Sequence, residues 1–261
     1  LIGANIKDLL RDNTKIVWTE SPGSQTFEVQ DIPAIAAAAH EVGAIVMIDN
    51  TWSAGYYFKA LAHGVDVSVH ASTKYHSGHS DVMMGSISTR KETIFRKIKD
   101  IAIQFGNNVS PSDCYLVLRG MKTMSLRLQQ HQASAIKLID WLIKRPEVKT
   151  ILYPACPSDP GYKIWKRDFT GASGLFGIVI KSINKKALAS FIEEMSHFRI
   201  GASWGGYESL MIPVYPIRSF AKPPWEQRGQ LIRIHAGLED IRDLINDLEQ
   251  GFSRLKFHSK N

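Results

Sequence analysis

Two side chains that can do chemistry lie at the ends of apolar, strand-like stretches of the sequence. Lys74 follows Ser72 and Thr73 in the segment VHASTKYHSGHSD. Asp49 comes near the end of the apolar run AIVMIDN. Ligands of an open parallel sheet bind at the carboxyl ends of the strands, so we expect the carboxylate and the amine to face one crevice. A salt bridge or two exposed side chains would account for the same pair.

The residue types around this lysine indicate a specific cofactor. Ser72 and Thr73 offer hydroxyl groups to an anion, and Gly78 and Gly85 allow a close approach of backbone. A lysine that forms a Schiff base, an acid that pairs with a pyridinium nitrogen and hydroxyls that hold a phosphate together describe a site for pyridoxal 5'-phosphate (PLP). We therefore predict PLP as the cofactor.

The elements that position these residues alternate between strands and helices. Asp31 is expected to cap a helix that ends at Gly43. The alternation implies βαβ units and a mostly parallel sheet, and the continuous apolar strands fit a sheet covered on both faces. The predicted strands are 15–20, 44–50, 65–72 and 82–89, and the predicted helices are 31–43 and 91–101.

The second half of the sequence predicts a smaller α/β domain. A long helical stretch begins near Asp113, breaks or bends near Gly120 and stops at Pro146. We expect a larger domain over residues 1–120 and a small C-terminal domain over residues 121–261. The strands predicted for the small domain are 176–182, 209–214 and 231–236, and its helices are 185–198 and 239–256.

The opening of the chain is itself patterned. Ile2, Ile6, Leu9 and Leu10 share one face at helical spacing in LIGANIKDLLRDN. Such a helix needs a neighbour to cover that face. We therefore expect the sequence to begin inside a domain.

Composition excludes several classes of function. The 261 residues are 44% hydrophobic and 22% charged, which is ordinary for a globular protein. The net charge of +7 comes from scattered residues rather than a basic stripe, so we expect no nucleic-acid partner. No apolar run is long enough to predict a membrane span. Cys114 and Cys156 lack metal-ligand spacing and form no disulfide framework, which favours the cytoplasm. We expect no metal site.

Several segments resemble one enzyme family. The stretch DNTWSAGYYFKALAHGVDVSVHASTKYHSGHSD resembles the lysine region of the Cys/Met-metabolism PLP-dependent enzymes. The segments ESPGS, LRGMKTMSLRLQQH, SWGGYESL and IRIHAGLED are similar to other motifs of that family, in the same order. The resemblance covers nearly the whole chain. It implies a PLP-dependent transferase-like fold, the aspartate-aminotransferase type I fold.

The resemblance also implies roles for the cofactor residues. Lys74 would bind PLP covalently and, once released, move protons as general base and acid. Asp49 would pair with the pyridinium nitrogen, and Thr73 and Ser72 would bind the phosphate. The family more often has Ser where Ala71 stands, and a shift of one residue turns a strand side chain to the other face. Thr73 is therefore the stronger phosphate ligand of the two.

Arg233 lies in the middle of an apolar strand pattern. A buried arginine is costly unless it is paired, so an internal ion pair would account for it. The resemblance makes Arg233 the residue that binds the substrate α-carboxylate, since a guanidinium suits a bidentate contact. It also places Ser203 and Trp204 in the substrate pocket.

The segment SWGGYES is most similar to the branch of the family formed by the bacterial cystathionine β-lyases. The resemblance implies a PLP-dependent carbon–sulfur lyase of methionine biosynthesis and transsulfuration. It would act on cystathionine and related amino-acid thioethers as a homotetramer, a dimer of dimers. A γ-acting relative is one alternative, and a catalytically silent folding or association module is another. The N-terminal third of the family has no counterpart here, so we expect this stretch alone to bind PLP weakly or not at all.

Overall fold

The computed structural model describes residues 3–217 and 228–258, without the side chains of 256–258. The described residues form two compact units. Unit 1 includes the described residues of 3–24, 28–125 and 160–172, and unit 2 those of 25–27, 126–159, 173–217 and 228–258. The division into domains at residue 120 stays a prediction.

Unit 1 is built on a four-stranded sheet in the order β1-β2-β3-β4. The first three strands are parallel, and β4 is antiparallel to β3. The mostly parallel α/β fold predicted from the sequence is therefore confirmed. The strands are β1 (Ile16–Glu20), β2 (Ile45–Asp49), β3 (Val67–Ala71) and β4 (Gly85–Thr89); the helices of this unit are α1 (Ile6–Leu9), α2 (Ile32–Glu41), α3 (Glu92–Gln104), α4 (Pro111–Met121) and α6 (Tyr162–Asp168), with a 3₁₀ turn at Ala60–Ala62.

Helix α2 begins and ends as its sequence predicts. The Asp31 side chain accepts a hydrogen bond from the backbone N–H of Ala34, which satisfies one of the donors left open at a helix start. Gly43 follows the helix with a φ of 73°, a conformation that favours glycine. The buried side of α2 includes Ile32 and Ile35.

The coverage of the unit 1 sheet differs from the expectation. Val46 and Ile48 of β2 are fully buried. Ile16 and Trp18 of β1 are each 56% exposed, so the described residues leave one face of that strand open. The predicted first helix is also shorter, since α1 has only four residues and Leu9 is exposed. Ile2, expected on its apolar face, lies outside the described residues.

The long helical stretch breaks where the sequence predicts. Helix α4 ends at Met121, next to Gly120, and α5 (Met124–Leu142) follows after Lys122 and Thr123. Helix α5 ends four residues before Pro146, which cannot donate a helical hydrogen bond.

Unit 2 contains a five-stranded sheet in the order β5-β6-β9-β8-β7. Strand β6 is buried at every position. Strand β5 was absent from the sequence prediction, because its pattern places the polar pair Lys149 and Thr150 on the exposed side. The strands are β5 (Val148–Leu152), β6 (Leu175–Ile180), β7 (Arg199–Ile200), β8 (Leu210–Val214) and β9 (Gln230–His235), and α7 (Lys185–Glu193) and α8 (Ile241–His258) complete the elements.

Helix α7 ends five residues before the predicted limit, and a buried carboxylate accounts for this. Asp247 of α8 is 3% exposed. Its oxygens accept hydrogen bonds from the backbone N–H groups of Ser196, His197 and Phe198, at 2.7 to 3.1 Å. These donors are therefore satisfied without a longer helix.

Among the described helices, none combines the length and the apolar character that crossing a bilayer requires. Cys114 and Cys156 are both free thiols, and Cys156 is buried.

Candidate active site

Parallel pairing of β2 with β3 brings the predicted acid beside the strand that leads to the predicted lysine. Asp49 is the last residue of β2, and its Cα is paired with that of Val69 in β3. Strand β3 ends two residues later at Ala71, and Lys74 lies in the turn that follows. Paired strands lie about 4.8 Å apart. Asp49 and Lys74 thus both belong to the carboxyl edge of two adjacent strands.

The Asp49 carboxylate is fixed by a residue two positions further on. Its Oδ1 accepts hydrogen bonds from the backbone N–H of Thr51 at 2.9 Å and from the Thr51 hydroxyl at 2.6 Å. The same hydroxyl oxygen accepts from the N–H of Ala71 at 2.9 Å. Within residues 3–217 and 228–258, no group donates to Oδ2 of Asp49. This half-buried carboxylate therefore retains an oxygen for a ligand.

The turn that carries Lys74 is held by its own backbone. The N–H of Lys74 donates to Ala71 at 3.0 Å, and the Lys74 carbonyl accepts from Gly78 at 2.8 Å. Gly78 has a φ of 68°, in the left-handed region that favours glycine. Lys74 is half-buried in this turn.

The two hydroxyls before Lys74 occupy different environments. Thr73 is half-buried, and its hydroxyl contacts Met84, the residue before β4: it accepts from the Met84 N–H at 2.9 Å and donates to the Met84 carbonyl at 3.2 Å. Ser72 is 1% exposed, and its hydroxyl lies 3.0 Å from both Ser86 Oγ and His76 Nδ1. A phosphate contact from Ser72 would therefore require exchange of these internal partners. Both phosphate roles stay predictions.

Two histidines, His70 and His76, lie next to each other near Asp49. The rings of His70 and His76 lie 5.0 Å apart, and the Nε2 of His76 lies 3.1 Å from the carbonyl oxygen of Ala54. Burial, followed by the charge of His76, lowers the pKa of His70 to about 4, against a smaller upward effect of Asp49. His70 is therefore neutral at pH 7 and adds no positive charge beside Asp49.

Helix α4 packs directly on the lysine turn. A Cβ placed on Gly120 would lie 2.2 Å from the carbonyl oxygen of Ser77 and 2.5 Å from that of His76. The close approach of the two backbones requires glycine at this position. Gly120 therefore helps to set the position of the turn that begins at Ser72.

Arg233 of unit 2 sits in the middle of β9, between Gly177 of β6 and Ile212 of β8. Its Nη2 donates to the backbone carbonyls of Ala202 at 2.7 Å and Ser203 at 3.3 Å. Burial lowers its pKa. No carboxylate of the described residues pairs with it, so the internal ion pair considered as an alternative is not found there.

Hydrogen bonds of Gly205 and Ser209 fix the segment that follows Ser203 and Trp204. Ser209 donates to Glu239 through both its N–H and its hydroxyl, each at 2.7 Å, and its hydroxyl accepts from Gly237. The Nε2 of His235 lies 3.1 Å from the N–H of Gly205. Ser203 is exposed and Trp204 is half-buried.

The residues of unit 1 fit PLP by their chemistry. A pyridinium nitrogen needs a carboxylate oxygen, which Asp49 retains. A phosphate needs donors, and the Thr73 hydroxyl could serve as one in exchange for its 3.2 Å bond to the Met84 carbonyl. The cofactor aldehyde needs a lysine close by, and Lys74 follows the neighbouring strand.

Comparison with known proteins identifies the family. The family model for Cys/Met metabolism PLP-dependent enzymes matches residues 2–253. The chain belongs to this family. Cystathionine beta-lyase of Escherichia coli K12 is 46% identical to it over 261 residues, and that of Salmonella typhimurium LT2 is 43% identical. Each of these two alignments covers 98% of the chain but 66% of the relative, so the chain spans slightly less than two-thirds of these relatives.

Solved structures agree with membership of the Cys/Met metabolism PLP-dependent enzymes. The crystal structure of cystathionine gamma-lyase from Lactobacillus plantarum complexed with L-serine superposes with a TM-score of 0.88 at 31% identity. It matches 97% of this chain and 67% of that chain. The type I fold predicted from the sequence is thereby confirmed, and PLP is the cofactor of the family.

Sequence reasoning missed two residues that shape this candidate site. Thr51 follows Asp49 in the order Asp-x-Thr, and an aspartate that accepts from the N–H two residues on is a common turn-forming pattern that could have been recognised. Gly120 gave only a signal of helix bending, because its contact with residues 76 and 77 is distant in sequence.

Proposed function

We propose that the protein is a PLP-dependent carbon–sulfur β-lyase that cleaves cystathionine. The net reaction consumes water and gives homocysteine, pyruvate and ammonia. One observation carries the proposal: Asp49 at the end of β2 and Lys74 after the end of β3 lie at the same edge of the sheet, because the two strands are adjacent and parallel. The identity to the cystathionine beta-lyases of two bacteria supports the choice of substrate.

Lys74 is the residue that moves protons in this proposal. PLP, when bound, withdraws electrons from the substrate α-carbon and so makes the α-proton acidic. The neutral ε-amine of Lys74 takes that proton. It then gives a proton to the sulfur that leaves with homocysteine, as one group acting first as base and then as acid.

Asp49 and Thr73 hold the cofactor in this proposal. Oδ2 of Asp49 accepts from the pyridinium N–H, which keeps that nitrogen positively charged. The hydroxyl of Thr73, with Ser72 as a further donor, binds the phosphate. Thr73 lies two residues beyond β3 and is half-buried, so exchange of its bond to the Met84 carbonyl costs less than the same exchange at the fully buried Ser72.

Arg233 binds the substrate α-carboxylate in this proposal. Its Nη2 is oriented by the carbonyls of Ala202 and Ser203, while burial disfavours a guanidinium that lacks an anionic partner. A carboxylate ligand would supply that partner. Ser203 and Trp204 belong to the backbone segment that orients Arg233, which supports their place in the substrate pocket.

Product analysis tests the reaction. The purified full-length protein with PLP and cystathionine should release pyruvate and homocysteine in equal amounts, and its Lys74→Ala variant should release neither. A γ-acting enzyme is the second candidate, and the similarity to the structure of a cystathionine gamma-lyase favours it. That enzyme would give 2-oxobutyrate and cysteine instead. A folding or association module would give no product with any thioether. Such a result would contradict the proposed lyase activity.

The proposed assembly is a homotetramer, a dimer of dimers, in the cytoplasm. Free thiols at Cys114 and Cys156 support a reducing compartment. Large apolar side chains exposed between residues 101 and 121 support association, because such exposure marks interaction surfaces; they include Ile101, Ile103, Phe105, Tyr115 and Leu118. Light scattering should give the mass of four chains, and Phe105→Asp should reduce it.

A further inference from the structure

Thr51 connects the acid at the end of β2 to the end of β3. Its hydroxyl donates to Oδ1 of Asp49 at 2.6 Å and accepts from the N–H of Ala71 at 2.9 Å. With the Ala71 N–H as its donor, the hydroxyl has its own proton available for the carboxylate. Thr51 is 6% exposed, so water competes little for either bond.

The two bonds from Thr51 act on one oxygen of Asp49 only. The second bond to Oδ1 comes from the Thr51 backbone N–H at 2.9 Å, and it survives any substitution of the side chain other than proline. The bond from the hydroxyl is therefore the one that a substitution of Thr51 can remove. Donation to a carboxylate favours its ionised form over its protonated form.

We infer that Thr51 is a positioning residue that keeps the shared proton on the cofactor ring nitrogen instead of on Asp49. The inference rests on the proposed function, in which Asp49 pairs with that nitrogen. The step at issue is a single proton transfer: the N–H bond of the ring breaks, an O–H bond forms on Asp49, and the charged pair becomes neutral. No other reactant takes part.

The physical reason is a competition between two bases in a partly buried site. The proton rests on the ring nitrogen when the carboxylate is stabilised as an anion, and it moves to the carboxylate when that stabilisation is lost. A ring without the proton withdraws electrons less strongly. Loss of the Thr51 hydroxyl should therefore weaken catalysis while Asp49 and Lys74 remain in place.

Two substitutions separate the hydroxyl from the shape of the side chain. Thr51→Val keeps the branched shape and removes the hydroxyl, whereas Thr51→Ser keeps the hydroxyl. The measurement is the ¹⁵N chemical shift of PLP labelled at the ring nitrogen and bound to the purified protein, followed across pH. This shift reports where the proton lies, and Asp49→Asn provides the reference for a ring without an anionic partner.

We expect Thr51→Ser to resemble the wild type. In Thr51→Val the ring nitrogen should lose its proton at a pH lower by about one unit, and kcat/KM should fall about tenfold with a smaller change in KM. If Thr51→Val folds too poorly, Thr51→Ala, which leaves room for a water at the Ala71 N–H, carries the same expectation.

Distinct outcomes overturn the two claims. An unchanged ¹⁵N shift in Thr51→Val or Thr51→Ala, with only a loss of stability, would show that Thr51 is structural. A shift in Thr51→Ser as large as in Thr51→Val would also contradict a role for the hydroxyl. A full-length wild-type protein that binds no PLP, or binds it with an unprotonated ring, would overturn the proposed function and this role with it.

Discussion

At the scale of single residues, the oxygen of Asp49 that takes no bond from the described residues matters most. Thr51 occupies Oδ1 through two bonds, and we propose that Oδ2 accepts from the ring nitrogen of the cofactor. The negative charge is thus placed before the cofactor arrives, and preorganised charge of this kind needs no rearrangement during the reaction.

Asp49→Asn should reduce chemistry more than binding. An amide keeps the shape of the side chain but lacks the charge that holds the ring nitrogen protonated, so kcat should fall roughly 100-fold. The affinity for PLP, measured by titration of the PLP-free protein, should change far less, since Lys74 and the phosphate contacts remain. Equal losses in kcat and PLP affinity would contradict the assigned role.

Arg233→Lys should weaken substrate binding. Lysine keeps the positive charge but loses the planar pair of donors that suits a carboxylate, so kcat/KM for cystathionine should fall roughly tenfold to 100-fold, mainly through KM. Arg242→Lys is the matched control, because Arg242 is exposed and pairs with Asp240 at the start of α8. Equal kinetics for the two variants would exclude Arg233 from the substrate site.

Much of the site at residue scale was predictable. Asp49, Lys74 and Arg233 stand out because a charged side chain interrupts or ends an apolar pattern. Thr51 did not stand out, since a threonine after a strand is ordinary and its importance comes from a hydrogen bond to Ala71, twenty residues away. Pattern reasoning has no access to such distant partners.

At the scale of elements, helix α4 and the lysine turn form one packed contact through Gly120. Helix propensity alone predicts that alanine would stabilise this helix by about 1 kcal/mol. The backbone oxygens of His76 and Ser77 leave no room for the added Cβ, so packing predicts the opposite.

Gly120→Ala should therefore lower the free energy of unfolding by about 1 to 3 kcal/mol, as overpacking does, and weaken PLP binding because the turn of Lys74 shifts. Urea unfolding and PLP titration measure the two effects. Ser112→Ala, at an exposed polar position of the same helix, should leave PLP binding unchanged. A more stable Gly120→Ala variant would contradict the packing account.

The elements themselves were predicted best where local signals are strong. Helix α2 has a capping aspartate and a terminal glycine, and its limits are close to the predicted ones. Helix α7 is shorter than predicted because Asp247, about fifty residues away, captures the N–H groups beyond it. Strand β5 was missed because two of its five side chains, Lys149 and Thr150, are polar and exposed.

At the scale of the whole molecule, two buried histidines link stability to pH. His131 is fully buried, its Nδ1 lies 2.8 Å from the carbonyl oxygen of Ala236, and burial lowers its pKa to about 4. His70, in unit 1, has its pKa lowered to about 4 for the same main reason. Both stay neutral in the folded state at a pH where the unfolded chain already binds protons.

Stability should therefore fall as the pH is lowered from 6.5 towards 4. In this window the unfolded state binds more protons than the folded state, so each histidine contributes a slope of at most about 1.4 kcal/mol per pH unit. Urea unfolding at a series of pH values measures the slope. His70→Asn and His131→Asn should flatten it even if they lower stability at pH 7, and an unchanged slope in both would contradict the assignment.

The central claim is that Asp49 and Lys74 bind one PLP molecule, and borohydride reduction tests it most directly. Borohydride converts the bond between PLP and its lysine into a stable secondary amine, which peptide mapping by mass spectrometry then locates. We expect the phosphopyridoxyl group on Lys74 both in the full-length wild type and in its Asp49→Asn variant. A full-length wild-type protein that carries the label on another lysine, or none after incubation with PLP, would contradict the account.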